Sequence, residues 1–334
     1  MMATPQVLGR RGTAAVVLGL LAAGFLALAG CSGRGRVPSA IQPGSGCGRR
    51  AAVGSTTLHL NVDGHDRVVI VQVPNGYQPT AQTALVLNLQ GSESTARQQE
   101  LFSGMDTTAD RDAFLVAYPQ ALIEAGSGFD WNIPGVPLLG GSLPPAGAAS
   151  DVRFVIDLIH MLSATYCIDD KRVFATGISG GGRMASQLAC DASATIAAVA
   201  PVAGLRFPTP CPSARAVPVM AFHGTADRID PYAGNGQAYW TYSVPTAATR
   251  WAAHDGCAPR PHVRNGSGFT LTTYSGCATS AGVTLYTLAG EGHEWPGGPT
   301  MPISIRTLLG PQTRAVDANT VMWAFFEKAG ANGG

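Results

Sequence analysis

Two alternating runs open the patterned part of the chain. Thr56-Thr57-Leu58-His59-Leu60-Asn61-Val62 and Arg67-Val68-Val69-Ile70-Val71-Gln72-Val73 flank Asp63-Gly64. Alternation on both sides of such a turn predicts an antiparallel hairpin, with His59 and His65 as surface strand and turn residues. The pattern then changes. Residues 84–89, 113–118, 173–176, 196–202, 217–222 and 283–288 are almost wholly apolar. Runs of this kind suit strands covered on both faces, as in a parallel sheet. Helical patterns lie between them, at 95–111, 151–166, 182–190, 246–254 and 315–328. In the second, apolar residues recur at helical spacing behind Asp151, which is expected as the charge at its N-terminus. An antiparallel opening followed by β-α alternation predicts an α/β protein with a mostly parallel central sheet and helices on both faces.

The first residues carry a different signal. Arg10-Arg11 precedes an apolar stretch from Thr13 to Ala29, and small residues lead into Cys31. This predicts a secretory signal over 1–30. Leu28-Ala29-Gly30-Cys31 resembles a bacterial lipobox, so Cys31 is the expected lipidation site and the only expected membrane contact. Gly12-Thr13 fits a twin-arginine signal poorly. Residues 31–52, rich in Gly, Ser, Pro and Arg, read as a flexible tether, and 53–330 as one folded domain.

Six cysteines follow: Cys47, Cys167, Cys190, Cys211, Cys257 and Cys277. An even number in an exported chain reads as three disulfides, for which 15 connectivities exist. We expect Cys257–Cys277 and Cys190–Cys211, leaving Cys47–Cys167. The net charge of +1 gives no electrostatic reason for nucleic-acid binding. No C-x-x-C or H-E-x-x-H spacing occurs, so neither metal nor cofactor is expected. A monomer is expected.

The chemistry centres on residues 173–189. Val173 to Thr176 runs into Gly177-Ile178-Ser179-Gly180-Gly181, a G-x-S-x-G match, and a helix-forming stretch follows. Strand, tight turn and helix form the context of a nucleophile elbow, which exposes the serine hydroxyl above a sheet. A nucleophilic serine needs a histidine base, and the base needs a carboxylate. In such elbows the order along the chain is serine, acid, histidine. The run 217–222 ends in His223-Gly224-Thr225-Ala226-Asp227, with Asp230 close behind. Asp227 is the expected acid and Asp230 its rival. The run 283–288 ends in Gly290-Glu291-Gly292-His293-Glu294-Trp295, making His293 the expected base and His223 its competitor. The oxyanion hole is expected from the backbone of Gly180 and of Gly91 or Ser92. Trp131, Tyr232 and Trp295, with Tyr239 and Trp240, are candidates to line an acyl or aromatic cleft.

Seven segments together resemble the secreted polyhydroxybutyrate depolymerase and feruloyl esterase group of α/β-hydrolases. They are Val86 to Gly91, Asp112 to Pro119, Phe129 to Asn132, Gly177 to Met184, Ala200 to Gly204, Phe222 to Asp227 and Gly292 to Gly298. The resemblance covers about residues 55–328 and is strongest to lipoprotein esterases of actinobacteria. It implies an α/β-hydrolase fold, and a triad on Ser179, Asp227 and His293. It also implies hydrolysis of polyesters, feruloyl esters or acetyl esters. One position departs from the group, which usually carries His-Gly where this chain has Gln90-Gly91. Two other readings stand beside this one: a serine peptidase on the same fold, and a non-catalytic surface-binding lipoprotein.

Overall fold

The computed structural model describes residues 46–213, 215–278 and 281–332. The expected signal segment, Cys31 and the tether up to residue 45 lie outside the described residues. The first described residues are fastened to the domain by a disulfide and backbone hydrogen bonds. Cys47 is disulfide-bonded to Cys167, Gly46 N–H donates to Ser163 C=O at 3.0 Å, and Gly48 N–H to Pro79 C=O at 2.7 Å.

The hairpin forms as β1 (Gly54–Val62) and β2 (His65–Val73), closing around Asp63-Gly64, where both residues take positive φ. Then come β3 (Thr83–Leu89), α1 (Ala96–Ser103), α2 (Met105–Asp112) and β4 (Leu115–Pro119). The single helix expected over 95–111 is two. Gly104, at φ 57°, closes α1 and opens α2, and a Cβ there would collide with Pro299. A small hairpin, β5 (Ile123–Ala125) and β6 (Gly128–Asp130), precedes α3 (Asp151–Thr165), β7 (Ile168–Ile178), α4 (Gly180–Asp191) and β8 (Ala198–Val202). The chain continues through β9 (Val219–Gly224), α5 (Val244–His254), β10 (His262–Gly266), β11 (Phe269–Tyr274) and β12 (Val283–Leu288). It ends in α6 (Ile303–Leu309) and α7 (Ala318–Asn332).

Ten strands form one sheet in the order β1-β2-β4-β3-β7-β8-β9-β12-β11-β10. The six from β4 to β12 are parallel, and antiparallel hairpins extend both ends. This is the α/β-hydrolase arrangement. Every residue of β3, β4, β8 and β9 is buried, because helices cover both faces. Leu85, Leu87 and Leu89 face the side packed by α3, α4 and α5; Ala84 and Val86 face α1, α2 and α7. The strand period of two thus feeds two cores from one strand.

The charge of Asp151 is not spent on the helix end alone. Ser150 caps α3, and the fully buried Asp151 carboxylate pairs with Arg67 of β2 at 2.5 Å and accepts from Asn132 N–H at 2.7 Å. The Arg67 guanidinium lies 3.6 Å over the Phe154 ring. The ion pair pins α3 to the antiparallel end of the sheet.

Candidate active site

β7 delivers the chain to Ser179, which stands between strand and helix with φ 55° and ψ −118°. For a non-glycine residue this backbone costs about 1–3 kcal/mol and persists only when its surroundings hold it. Here Ser179 N–H donates to Val202 C=O of β8 at 3.0 Å, and its C=O accepts from Arg183 at 2.9 Å. Gly180 begins α4, so its N–H has no partner in the helix ladder. The Gln90–Ser92 segment after β3 lies against it: a Cβ on Gly180 would fall 2.9 Å from Ser92 N. Gln90 is fully buried; its amide donates to Ser94 C=O and Phe129 C=O, and its own C=O accepts from the Trp131 indole at 2.8 Å. These bonds hold the Gln90–Ser92 segment in place.

Asp227 and His293 come from loops after β9 and β12, at the sheet edge where Ser179 follows β7. His293 Nδ1–H donates to Asp227 Oδ2 at 2.8 Å, which leaves Nε2 to take a proton. The other oxygen, Oδ1, accepts from the backbone of Ile229 and Asp230, each at 2.9 Å. Burial pushes the Asp227 carboxyl up, but hydrogen bonds from His223 and His293 outweigh it and hold the group well below the usual carboxylate range. Burial pulls His293 down; its hydrogen bond to Asp227 and the charges of Asp227 and Asp230 outweigh this and raise it above 6.5. Ser179 makes no hydrogen bond to the ring in this structure. In unliganded hydrolases that contact is commonly long and tightens with substrate.

The two rivals occupy other places. The Asp230 carboxylate accepts from Arg183 at 2.6 Å and hydrogen-bonds no imidazole, while its backbone C=O accepts from His223 Nε2 at 2.7 Å. His223 is buried, stacked on Trp240, and its Nε2 stands 3.4 Å from Asp227 Oδ2. Arg183, four residues past Ser179, was not singled out from the sequence. Its guanidinium reaches Asp230 and, at 3.4 Å, Ser92 Oγ, so one side chain joins the elbow, the acid loop and the Gln90–Ser92 segment. The signal was available: a lone charge among small residues in the first turn of a buried helix.

The expected cleft residues need correction. Trp131 is 3% exposed and Trp295 0%; their indoles donate to Gln90 C=O and to Asn319 Oδ1. Both are packing residues, since no ligand reaches a ring with so little surface. Tyr232 is half-buried and bonded to Thr287 Oγ1 at 2.8 Å, edge-on to His223. The open space lies elsewhere. A cleft of about 480 Å³ runs between Leu205–Thr209 and Ala238–Tyr242, and Tyr239 lines it; Trp240 borders it with a buried ring, stacked on His223 and donating its indole N–H to Pro231 C=O at 2.8 Å. Its lining includes neither Ser179 nor His293, but Tyr239 lies 5.2 Å from the Arg183 guanidinium, one turn from the elbow.

Beside His293, the carboxyl of Glu294 is 2% exposed with no hydrogen-bond partner on either oxygen. Burial and the neighbouring Glu291 raise its pKa to about 7, against the opposing charges of His293 and Arg306. The structure pairs Cys47–Cys167, Cys190–Cys211 and Cys257–Cys277. Among the described residues no group of three His, Cys, Asp or Glu side chains is arranged to hold a metal ion.

A mostly parallel sheet with a strained serine at a strand–helix turn, and a carboxylate-bound histidine at the same edge, is the arrangement of the α/β-hydrolase fold class. The chain belongs to the family described as Esterase PHB depolymerase, whose model matches residues 70–249. Feruloyl esterase B of Piromyces equi is 29% identical over 238 residues, which is 68% of this chain and 42% of that protein. The chain therefore spans less than half of that relative. Feruloyl esterase D of Neurospora crassa is 27% identical over 257 residues, covering 76% of this chain and 83% of its own. Two solved structures share the fold. An S-formylglutathione hydrolase from Agrobacterium tumefaciens has TM-score 0.52 and 13% identity over 86% of this chain and 98% of its own. An acetyl xylan esterase from Aspergillus awamori has TM-score 0.51 and 16% identity over 72% and 94%.

Proposed function

We propose that this protein is an exported serine esterase that hydrolyses carboxylic esters of hydroxybutyrate, feruloyl or acetyl type through Ser179, His293 and Asp227. The 2.8 Å bond from His293 Nδ1 to Asp227 carries the reading, because it fixes the tautomer in which Nε2 is a base. Ser179 Oγ attacks the ester carbonyl while His293 Nε2 takes its proton. In this reading the amides of Gly180 and of Gly91 or Ser92 stabilise the oxyanion. The alcohol leaves with the proton from His293, and water, deprotonated by the same nitrogen, releases the acid. Membership of an esterase family and resemblance to feruloyl esterases support the ester substrate.

Export rests on the N-terminal pattern and on three disulfides, which persist in oxidising compartments. Lipid attachment at Cys31 would hold the enzyme on the outer face of the cell membrane. The test is hydrolysis of p-nitrophenyl butyrate by purified protein and by Ser179→Ala. Turnover confined to the unaltered protein is expected; equal rates overturn the reading. Acyl mass at Cys31, lost in Cys31→Ala, tests the anchor.

A further inference from the structure

The cleft beside the elbow has an unbalanced charge. Arg206 and Arg250 both line it, and no aspartate or glutamate does, although the whole chain carries 22 basic and 21 acidic residues. Neither guanidinium has a carboxylate partner among the described residues. Arg206 is held in place from both sides of its backbone: its N–H donates to Ser186 Oγ at 3.3 Å, and its C=O accepts from the Trp251 indole at 2.7 Å. Its Nη1 donates to Gln187 Oε1 at 2.8 Å, and Gln187 in turn donates to Asp191. The amide fixes the guanidinium without neutralising it. Burial disfavours its charged form, an unpaired state that an incoming anion would relieve. Arg250, on the exposed side of α5, lies 4.3 Å over the Tyr242 ring, which orients it along the same wall.

Position gives the ligand its length. The cleft starts at Tyr239, which lies against Arg183 in the first turn of α4. It reaches the guanidinium bonded to Gln187, eight residues beyond Ser179 on the same helix. Eight residues of α-helix span ~12 Å. Aromatic walls from Phe207, Tyr239 and Tyr242 suit the aliphatic body of a chain between the two points.

We propose that this cleft binds a carboxylate at the far end of the acyl chain, so that the preferred substrates are esters whose acid part ends in a second acid group. Planar guanidinium forks recognise carboxylates through paired hydrogen bonds, which makes the recognition directional. The proposal rests on Ser179 being the nucleophile of an esterase, and it adds the class of ester.

Mono-p-nitrophenyl esters of succinate, adipate, suberate and sebacate, compared with neutral acyl esters of equal length, test it. The anionic ester is expected to gain the lower KM only at the longer lengths, with the advantage falling as NaCl is raised. Arg250→Gln should raise the ratio of anionic to neutral KM by about tenfold at the sebacate length, as loss of a charge-assisted pair does. Arg264→Gln, on the exposed edge strand β10, should leave the ratio unchanged. An anionic-to-neutral ratio that is the same at every length, or that Arg250→Gln does not move, overturns the proposal. A second arm needs no turnover. Quenching of tryptophan fluorescence by free sebacate in the Ser179→Ala protein should saturate and weaken in Arg250→Gln. Sebacate binding without hydrolysis of any ester would sink the esterase reading and spare the anion site. Ester hydrolysis with no sebacate binding would do the reverse.

Discussion

The Asp227 carboxylate stands between two imidazoles: its Oδ2 accepts from His293 Nδ1 at 2.8 Å and lies 3.4 Å from His223 Nε2. Only the first of these rings also belongs to the loop after the last parallel strand. Asp227→Asn keeps the volume but removes the charge that selects the tautomer. A loss of about 10³- to 10⁴-fold in kcat is expected, as for other triads stripped of this carboxylate. Steady-state kinetics on p-nitrophenyl acetate would measure it, and a loss below tenfold would point to another acid.

The same bond sets the pH profile. The base must be neutral, and Asp227 raises the pKa of His293 above 6.5. Activity is therefore expected to fall as pH drops through a midpoint above 6.5, with kcat/KM against pH as the readout. In Asp227→Asn the acid limb should move to lower pH.

Glu294 predicts a pH dependence of stability. Its carboxyl titrates at about 7 in the fold against an ordinary value of 4.5. The folded state keeps a proton that the unfolded chain has lost between these values, so the contribution is full below 4.5 and disappears as pH rises through 7. Glu294→Gln should flatten the fall in stability between pH 5 and 8 by about 2 kcal/mol. Urea titrations at both pH values would measure it; parallel curves for the two proteins would exclude it.

The Arg67–Asp151 pair is fully buried, so removing one member leaves a charge without its partner. Asp151→Ala should destabilise by about 3–5 kcal/mol, and the double change Arg67→Met with Asp151→Leu by clearly less. Chemical denaturation of the three proteins makes the comparison.

The disulfides differ in the loops they close. Cys47–Cys167 spans 120 residues, the other two 21 and 20. On chain entropy alone, loss of the long-range bridge should cost about 5 kcal/mol and loss of Cys257–Cys277 about 3. Equal losses from Cys47→Ala/Cys167→Ala and Cys257→Ala/Cys277→Ala would show that the unfolded chain is not the main seat of the effect.

What could be read along the chain was whatever depends on local pattern. Val283–Leu288 is both the apolar run and the strand β12. Asp227 and His293 were legible because each follows a buried strand on a loop with glycines. The break at Gly104 was not, because its cause, contact with Pro299, is distant in sequence. The β10–β11 hairpin was missed because β10 is exposed at every position and has no apolar alternation. Ser267-Gly268, the turn that closes it, was its one local signal. Trp131 and Trp295 look like cleft residues in a linear chain. Only the packing partners, Gln90 C=O and Asn319, reveal them as interior. Arg183 carried a local oddity, but its partners lie 91 residues before and 47 after.

That guanidinium fastens pieces drawn from three distant stretches of polypeptide into one rigid assembly. Heating should then offer no temperature at which the catalytic edge has melted while the sheet beneath it stands. Loss of turnover and loss of ellipticity are expected to follow one curve.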